Sequence, residues 1–267
     1  MKIARNNLMT ADNGVLTVID DANVNYDPLN VLDPSFSTVY NGAGTGVSLV
    51  FRYTFDTPTS ISYVAVAGHN AGVTGNAIGF RIDAVPMLSR EYEIGDFNSV
   101  LMMTFPEQVV TVVDVIFTKR GPVTDRVVLA NFQCGNVFSF QDPINNSEES
   151  GYVRPWIASG VRAKAILNRQ SEPSVSLVQQ ETKRITLTIR NIQGIDANPD
   201  FDQLTEFFSL MTDKTTWFMQ ERDDTVEAQD GESNYLCFNG EVQVVAGANR
   251  LLNTFKLSFN AYIGSRA

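Results

Sequence analysis

The segment Val47-Ser48-Leu49-Val50-Phe51-Arg52-Tyr53-Thr54-Phe55 constrains the fold more than any other. Its odd-numbered positions are all apolar or aromatic, and positions 48, 52 and 54 are polar. That period of two suits an extended strand with one buried face. Asp56-Thr57-Pro58 follows, and its turn chemistry and missing N–H predict that the strand stops there. A second run, Ile61-Ser62-Tyr63-Val64-Ala65-Val66-Ala67, closes at Gly68. Short Val-, Ile- and Phe-rich runs at 78–83, 100–105, 109–118 and 126–134 are separated by Gly, Pro, Asn or Asp. With no helix-length amphipathic stretch between them, this half is expected to be a β-sandwich or jelly roll.

Residues 142–151 carry one aliphatic side chain and several turn formers, which predicts a linker. The expected organisation is a sandwich over 1–140, a linker or long loop over 141–152 and a second domain over 153–267. The second half alternates at 184–190 and 255–262, with shorter strand candidates at 215–220, 235–238 and 242–246. After Asn198-Pro199-Asp200, the residues Leu204, Phe207, Phe208 and Met211 share one helical face, with Asp200 or Asp202 as N-cap. The fold class expected is therefore mostly β, a sandwich followed by a β-rich α+β domain with one amphipathic helix.

Charge narrows the functions. Twenty Lys and Arg stand against 30 Asp and Glu, a net −10 that divides as −5 on each side of residue 140. Neither half offers the basic face a nucleic acid requires. Charged residues make up 19%, below the roughly 25% of an average soluble chain, which suits a surface partly covered by other proteins. No run approaches the ~18 apolar residues of a membrane helix, and no apolar segment near Met1 resembles a signal peptide. Synthesis in a cytosol, without membrane insertion, is expected. There Cys134 and Cys237 are expected to be free thiols packed as small hydrophobes, although the sequence leaves a disulfide between them open.

Chemistry is sparse. The single histidine, His69, lies in Gly68-His69-Asn70-Ala71-Gly72 with no nucleophile elbow or metalloprotease motif to complete it. Gly68, His69 and Asn70 are therefore read as a structural turn at a strand end. Gly42-Ala43-Gly44-Thr45-Gly46 lacks the Gly-Lys-Ser/Thr ending of a phosphate loop and precedes a strand, so it reads as a flexible connection. Asp223, Asp224, Glu227, Asp230 and Glu232 fail the spacing of a calcium loop and read as a solvated hairpin. No catalytic residue, metal site or cofactor is expected. A sugar site on a sandwich requires an aromatic platform with amide or guanidinium donors on end loops; the candidates are Tyr40, Asn41, Asn70, Asn76 and Arg90.

One order of segments has a familiar look. Asn30-Val31-Leu32-Asp33-Pro34-Ser35-Phe36-Ser37-Thr38-Val39-Tyr40 precedes the strand ending at Phe55-Asp56. Ser62-Tyr63-Val64-Ala65-Val66-Ala67-Gly68-His69-Asn70 comes next, and Val127-Val128-Leu129-Ala130-Asn131-Phe132-Gln133-Cys134-Gly135 closes the half. This order resembles the discoidin-like (galactose-binding-like) β-sandwich modules of tailed-bacteriophage virions, of distal tail or baseplate type. Tyr40 stands where many such modules carry Trp, and discoidin-type disulfides are absent. The resemblance implies a structural subunit of a phage tail, made in the bacterial cytoplasm and residing in the virion. Its partners would be copies of itself in a ring, other tail or baseplate proteins, and host-surface carbohydrate. The alternative is a carbohydrate-binding adhesin with no ring-building role.

Overall fold

The computed structural model describes residues 2–33, 36, 38–96, 98–120 and 126–139, and in the second half 151–167, 173–193, 216–220, 233–238, 243–246, 252–262 and 264–265. Its strands, in chain order, are β1 (Lys2–Ala4), β2 (Gly14–Asp20), β3 (Tyr40–Asn41), β4 (Ser48–Ala67), β5 (Ala77–Ile82), β6 (Val85–Glu91), β7 (Asn98–Ser99), β8 (Leu101–Thr118), β9 (Val128–Leu129), β10 (Asn131–Gly135) and β11 (Val137–Ser139). Then follow β12 (Gly151–Leu167), β13 (Pro173–Gln193), β14 (Thr216–Gln220), β15 (Ser233–Phe238), β16 (Gln243–Ala246), β17 (Leu252–Tyr262) and β18 (Gly264–Ser265). A 3₁₀ turn spans Pro28–Leu32, and one helical turn, α1, spans Ala71–Thr74. The protein is mostly β.

Two compact units divide the chain. One gathers Lys2–Ser139, Trp217–Asn234 and Gly264–Ala267; the other gathers Phe140–Thr216 and Tyr235–Ile263, together with Met1. In the first unit, an antiparallel sheet runs in the order β10-β4-β8-β5-β6, with β2 also paired to β4. The alternating segment behaves as its pattern requires: Leu49, Phe51, Tyr53 and Phe55 are all in the core, 3% exposed or less. Val113, Val115 and Phe117 of β8 and Ile78, Phe80 and Ile82 of β5 join them there. A second layer of short pieces covers this face, contributing Met9, Val31 of the 3₁₀ turn, Tyr40 of β3, and Val127 and Leu129 around β9. Edge-to-face ring contacts join the short pieces to the sheet, with Tyr40 to Phe51 at 5.2 Å, and link neighbouring strands within it, with Phe51 to Phe117 at 6.1 Å. Each such buried ring contributes about 1.5–3 kcal/mol.

One expectation is overturned in an instructive way. The strand does not stop at Asp56-Thr57-Pro58; β4 continues from Ser48 to Ala67, and the runs at 100–105 and 109–118 likewise merge into β8. The β4–β8 register jumps from Thr54↔Val112 to Thr59↔Val110, and again from Ile61↔Gln108 to Tyr63↔Thr104. Pro58 falls in the first break and Pro106 in the second. A proline without an N–H is tolerated where the ladder is already interrupted, and such bulges bend a strand without ending it.

The first unit also uses distant segments. β1 pairs with β11 on one side and with β14 on the other, where Lys2 opposes Gln220 and Ile3 opposes Met219. Trp217, Phe218, Met219 and Gln220 are all buried. β18 pairs with β7, placing Ser265 opposite Asn98. In the other unit β13 lies between β12 and β17, and β17 also pairs with β15 and β16. The amphipathic helix read at 204–211, the linker residues 141–150 and the acidic cluster at 223–232 lie outside the described residues. Cys134 is free and fully buried, where desolvation pushes its thiol well up. This is the small-hydrophobe role expected of it.

Phe218→Ala empties a fully buried position in a strand contributed from beyond residue 200. It is expected to destabilise the first unit by about 3–5 kcal/mol, read as a shift of the urea unfolding midpoint. A midpoint unchanged from wild type would show that β14 is dispensable to this unit.

Candidate functional site

The sequence between β4 and β5 builds a rigid corner. Gly68 ends β4 at φ +68°, and a Cβ there would lie 2.6 Å from the Ala130 Cβ, so glycine is required twice over. His69 is 3% exposed; its Nδ1 accepts from the Ala71 N–H, and its ring meets Tyr92 edge-on at 5.3 Å. Asn70 spends its amide on the chain, donating to the Arg126 carbonyl and accepting from the Val128 N–H. Its own carbonyl accepts from the Val73 and Thr74 N–H groups and the Thr74 hydroxyl. α1 closes on Gly75, left-handed at φ +64°, whose N–H returns to the Ala71 carbonyl. The Gly72 N–H donates to the buried Asn98 Oδ1, and its carbonyl accepts from the Gly95 N–H.

This corner faces the segment after β6. The Tyr92 N–H donates to the Asn76 carbonyl, and the Arg90 guanidinium lies 5.1 Å from the centroid of the Tyr92 ring. Between them is a cleft of about 220 Å³ lined by Thr74, Gly75, Tyr92, Glu93, Ile94 and Arg120. Ile94 is 72% exposed, offering an aliphatic face. Arg120 Nη1 sits 2.7 Å from Glu91 Oε2 at the surface, and its remaining N–H groups are donors. The Glu93 carboxylate is an acceptor. Thr74, whose hydroxyl already donates to Asn70, can accept as well. Donors, acceptors and an apolar face are present; among the described residues, no group of three or more His, Cys, Asp or Glu could hold a metal ion.

The five residues read from sequence as sugar contacts fall into two groups. Asn76 and Arg90 border the Tyr92 segment behind the cleft. Tyr40, Asn41 and Asn70 cluster around β9, where Tyr40 opposes Leu129 and Asn41 opposes Val128. Tyr40 is not an exposed platform. It is 1% exposed, its hydroxyl accepts from the Asn23 N–H at 2.6 Å, and burial pushes its phenol up. Asn76 is buried too, at 1% exposure, and Asn41 is half-buried. The lining residues Thr74, Glu93, Ile94 and Arg120 carry no local motif; only the return of β6 and β8 to one corner assembles them.

The glycine-rich loop also departs from its reading. It is fastened rather than flexible, because the carboxylate of Asp21, at the end of β2, fills it. Asp21 Oδ1 accepts from the Thr45 and Gly46 N–H groups at 2.6 and 2.8 Å and from the Thr45 hydroxyl. Oδ2 accepts from the Gly44 N–H at 3.1 Å and from Lys119 Nζ at 2.7 Å. Both charged side chains are 1% exposed or less. Burial by itself raises the Asp21 carboxyl; Lys119 and the loop N–H groups outweigh it and hold the group at about 2, against 3.8 when unperturbed.

No protein-family model and no curated protein sequence matches the chain. Solved structures share part of its shape. A GH29 fucosidase of Ruminococcus gnavus, solved with fucose, is 11% identical over 50% of this chain and 27% of its own, with a TM-score of 0.41. A chitosan-binding module from a chitosanase/glucanase of Paenibacillus sp. IK-5 is 16% identical over 48% of this chain and 98% of its own, at 0.36. A pectin-binding carbohydrate-binding module is 17% identical over 47% and 91%, at 0.33. This chain thus spans about a quarter of the fucosidase and nearly all of each binding module. With identities below 25% and TM-scores below 0.5, these likenesses assign no family.

The Asp21–Lys119 pair gives a pH dependence whose sign is fixed. The folded carboxyl titrates lower than the unfolded one, so its stabilisation is present above about pH 4 and is lost as pH falls through about 2. A drop from 3.8 to about 2 corresponds to about 2 kcal/mol. Asp21→Asn, which leaves the Lys119 ammonium buried without its counter-ion, is expected to cost about 3–5 kcal/mol at pH 7. It should also remove that acid-limb loss. Urea unfolding of both proteins at pH 7, 4 and 2 measures this; parallel stability curves would contradict it.

Proposed function

We propose that the first unit is a carbohydrate-binding module that holds a neutral sugar in the Thr74–Arg120 cleft and works by binding rather than by chemistry. The observation that carries this reading is the make-up of the cleft, an exposed aliphatic face at Ile94 beside donors and acceptors from Arg120, Glu93 and Thr74. A sugar ring presents the complementary surface, C–H faces bordered by hydroxyls that both donate and accept. At about 220 Å³ the cleft is smaller than the ~300–1,000 Å³ of drug-sized sites, which suits one ring at the end of a glycan. The rigid corner at 68–76 keeps the lining ordered before a ligand arrives, which lowers the entropy lost on binding. Of the two sequence readings, this favours the adhesin-like module.

A glycan array probed with the full chain is expected to give signal on terminal neutral sugars. Arg120→Ala should weaken that binding about tenfold or more, as loss of a charge-assisted hydrogen bond implies, with no change in thermal midpoint. Silence across the array from a folded protein, or binding indifferent to Arg120→Ala, would sink the proposal.

A second reading, an assembly subunit of the distal tail or baseplate of a phage virion, draws support from large aliphatic side chains held in solvent. Val24 is 98% exposed, Val47 69% and Val109 65%. In a ring-forming subunit such side chains would be covered by neighbouring copies. Sedimentation of the chain at rising concentration is expected to show closed oligomers on this reading, and a lasting monomer would count against it.

A further inference from the structure

Away from the cleft, the outer face of the large sheet carries an unusual row of charge. Phe51 and Tyr53 of β4, Val113 and Val115 of β8, and Phe80 and Ile82 of β5 point into the core. Side chains alternate along a strand, so Arg52, Asp114 and Arg81, lying between those pairs, face outward. Register sets the three side by side, Arg52 opposite Asp114 and Asp114 opposite Arg81. Arg52 Nε reaches Asp114 Oδ1 at 2.8 Å and its Nη2 reaches Oδ2 at 3.0 Å. Arg81 Nε reaches Oδ2 at 2.7 Å, and its Nη2 donates to the same oxygen.

One guanidinium is enough to neutralise one carboxylate. The second leaves an excess positive charge in the middle of this face, on a chain whose net charge is −10. Asp114 is 1% exposed, whereas the Arg52 and Arg81 side chains are 37% and 29% exposed. Each guanidinium gives its Nε–Nη2 edge to Asp114 and keeps Nη1, a two-proton donor, for another partner. Because Asp114 already fixes both forks, a ligand that engages them loses little further side-chain entropy. Rows of aliphatic and hydroxyl groups flank the charges. Ile19, Val50 and Ile116 lie in register on one side; Val15, Thr54 and Val112 lie on the other.

We propose that this face binds an acidic sugar chain whose rings carry carboxylates, a polyuronate. A ligand carboxylate can accept from the Nη1 groups of the two guanidinia, and the half-buried Ile19, Ile116 and Val112 suit the C–H faces of sugar rings on either side. A uronate chain carries one charge per ring. A nucleic acid packs one charge per ~1.7 Å of duplex, so the chain's own net negative charge opposes it more strongly than it opposes a uronate chain of lower charge density. The proposal is independent of the neutral-sugar cleft, since Arg52, Asp114 and Arg81 line no part of it.

The test titrates the full chain with tetragalacturonate, using its methyl ester as the uncharged control, and follows the arginine Nε–Hε resonances together with calorimetric affinity. The resonances of Arg52 and Arg81 are expected to shift with saturation. Arg81→Gln, which leaves Arg52 paired with Asp114, should weaken binding about tenfold or more. The wild-type resonances decide the matter even if that variant does not fold. Unmoved Arg52 and Arg81 resonances would overturn the proposal, and so would equal binding of the methyl ester. Tighter binding of hexaglutamate would also overturn it, by assigning the face to an acidic peptide.

Discussion

Everything in the first unit hangs on the pairing of β4 with β8. Two strands of 20 and 18 residues run antiparallel, and the rest of the large sheet builds outward from them: β2 and β10 pair with β4, β5 with β8, and β6 with β5. A flat ladder of that length would neither twist enough nor close over a core, and the two register breaks relieve it. Pro58 and Pro106 lie in those breaks, where their missing N–H groups cost no ladder hydrogen bond. The same pairing aligns Phe51, Tyr53, Val113 and Val115 on the inner face and places Arg52 beside Asp114 on the outer one. Core and charged row are thus two consequences of one register.

A buried ion pair secures the edge of that framework. Asp21 at the end of β2 and Lys119 just past the end of β8 meet 2.7 Å apart, and the carboxylate collects the N–H groups of residues 44–46. A carboxylate with several N–H donors and a cation is cheaper to bury than either charge alone. Arg120, which lines the cleft, follows Lys119 directly. The anchored residue therefore fixes where its neighbour's guanidinium emerges, linking the interior electrostatics to the surface site.

Much of this was readable from the residues, and the failures have physical causes. The alternation announced a strand and its buried face over 49–55, while Val47, read with them, lies before β4 and is exposed; period-two patterning survives any tertiary context that buries one side. The turn at Gly68-His69-Asn70 was legible because a glycine at positive φ and a His69 ring that accepts from the Ala71 N–H are local devices, whereas the Asn70 amide reaches Arg126 and Val128 only through the fold. Pro58 misled, because a proline reads as a stop unless the partner strand's break is known. Tyr40 misled for a related reason: beside Asn41 and a glycine-rich loop it resembles a loop aromatic, yet β3 pairs with β9 and turns the ring inward. Asp21 and Lys119 are 98 positions apart, and Thr74, Glu93 and Arg120 converge only through the fold. No spacing rule reaches such pairs.

The architecture that results offers two surfaces of different chemistry, a small mixed cleft at one corner and a cationic row across a sheet face. Both are built on ordered strands and turns, the usual means by which a binding module holds donors in place before its ligand arrives. On the proposed function, the corner formed by α1 and the Tyr92–Ile94 segment is where a neutral glycan sits. Amide hydrogen exchange of the full chain, with and without a glycan retained on the array, tests this most directly. Slowed exchange confined to residues 71–76, 92–94 and 119–120 is expected; protection that spares this corner and appears elsewhere would contradict the assignment.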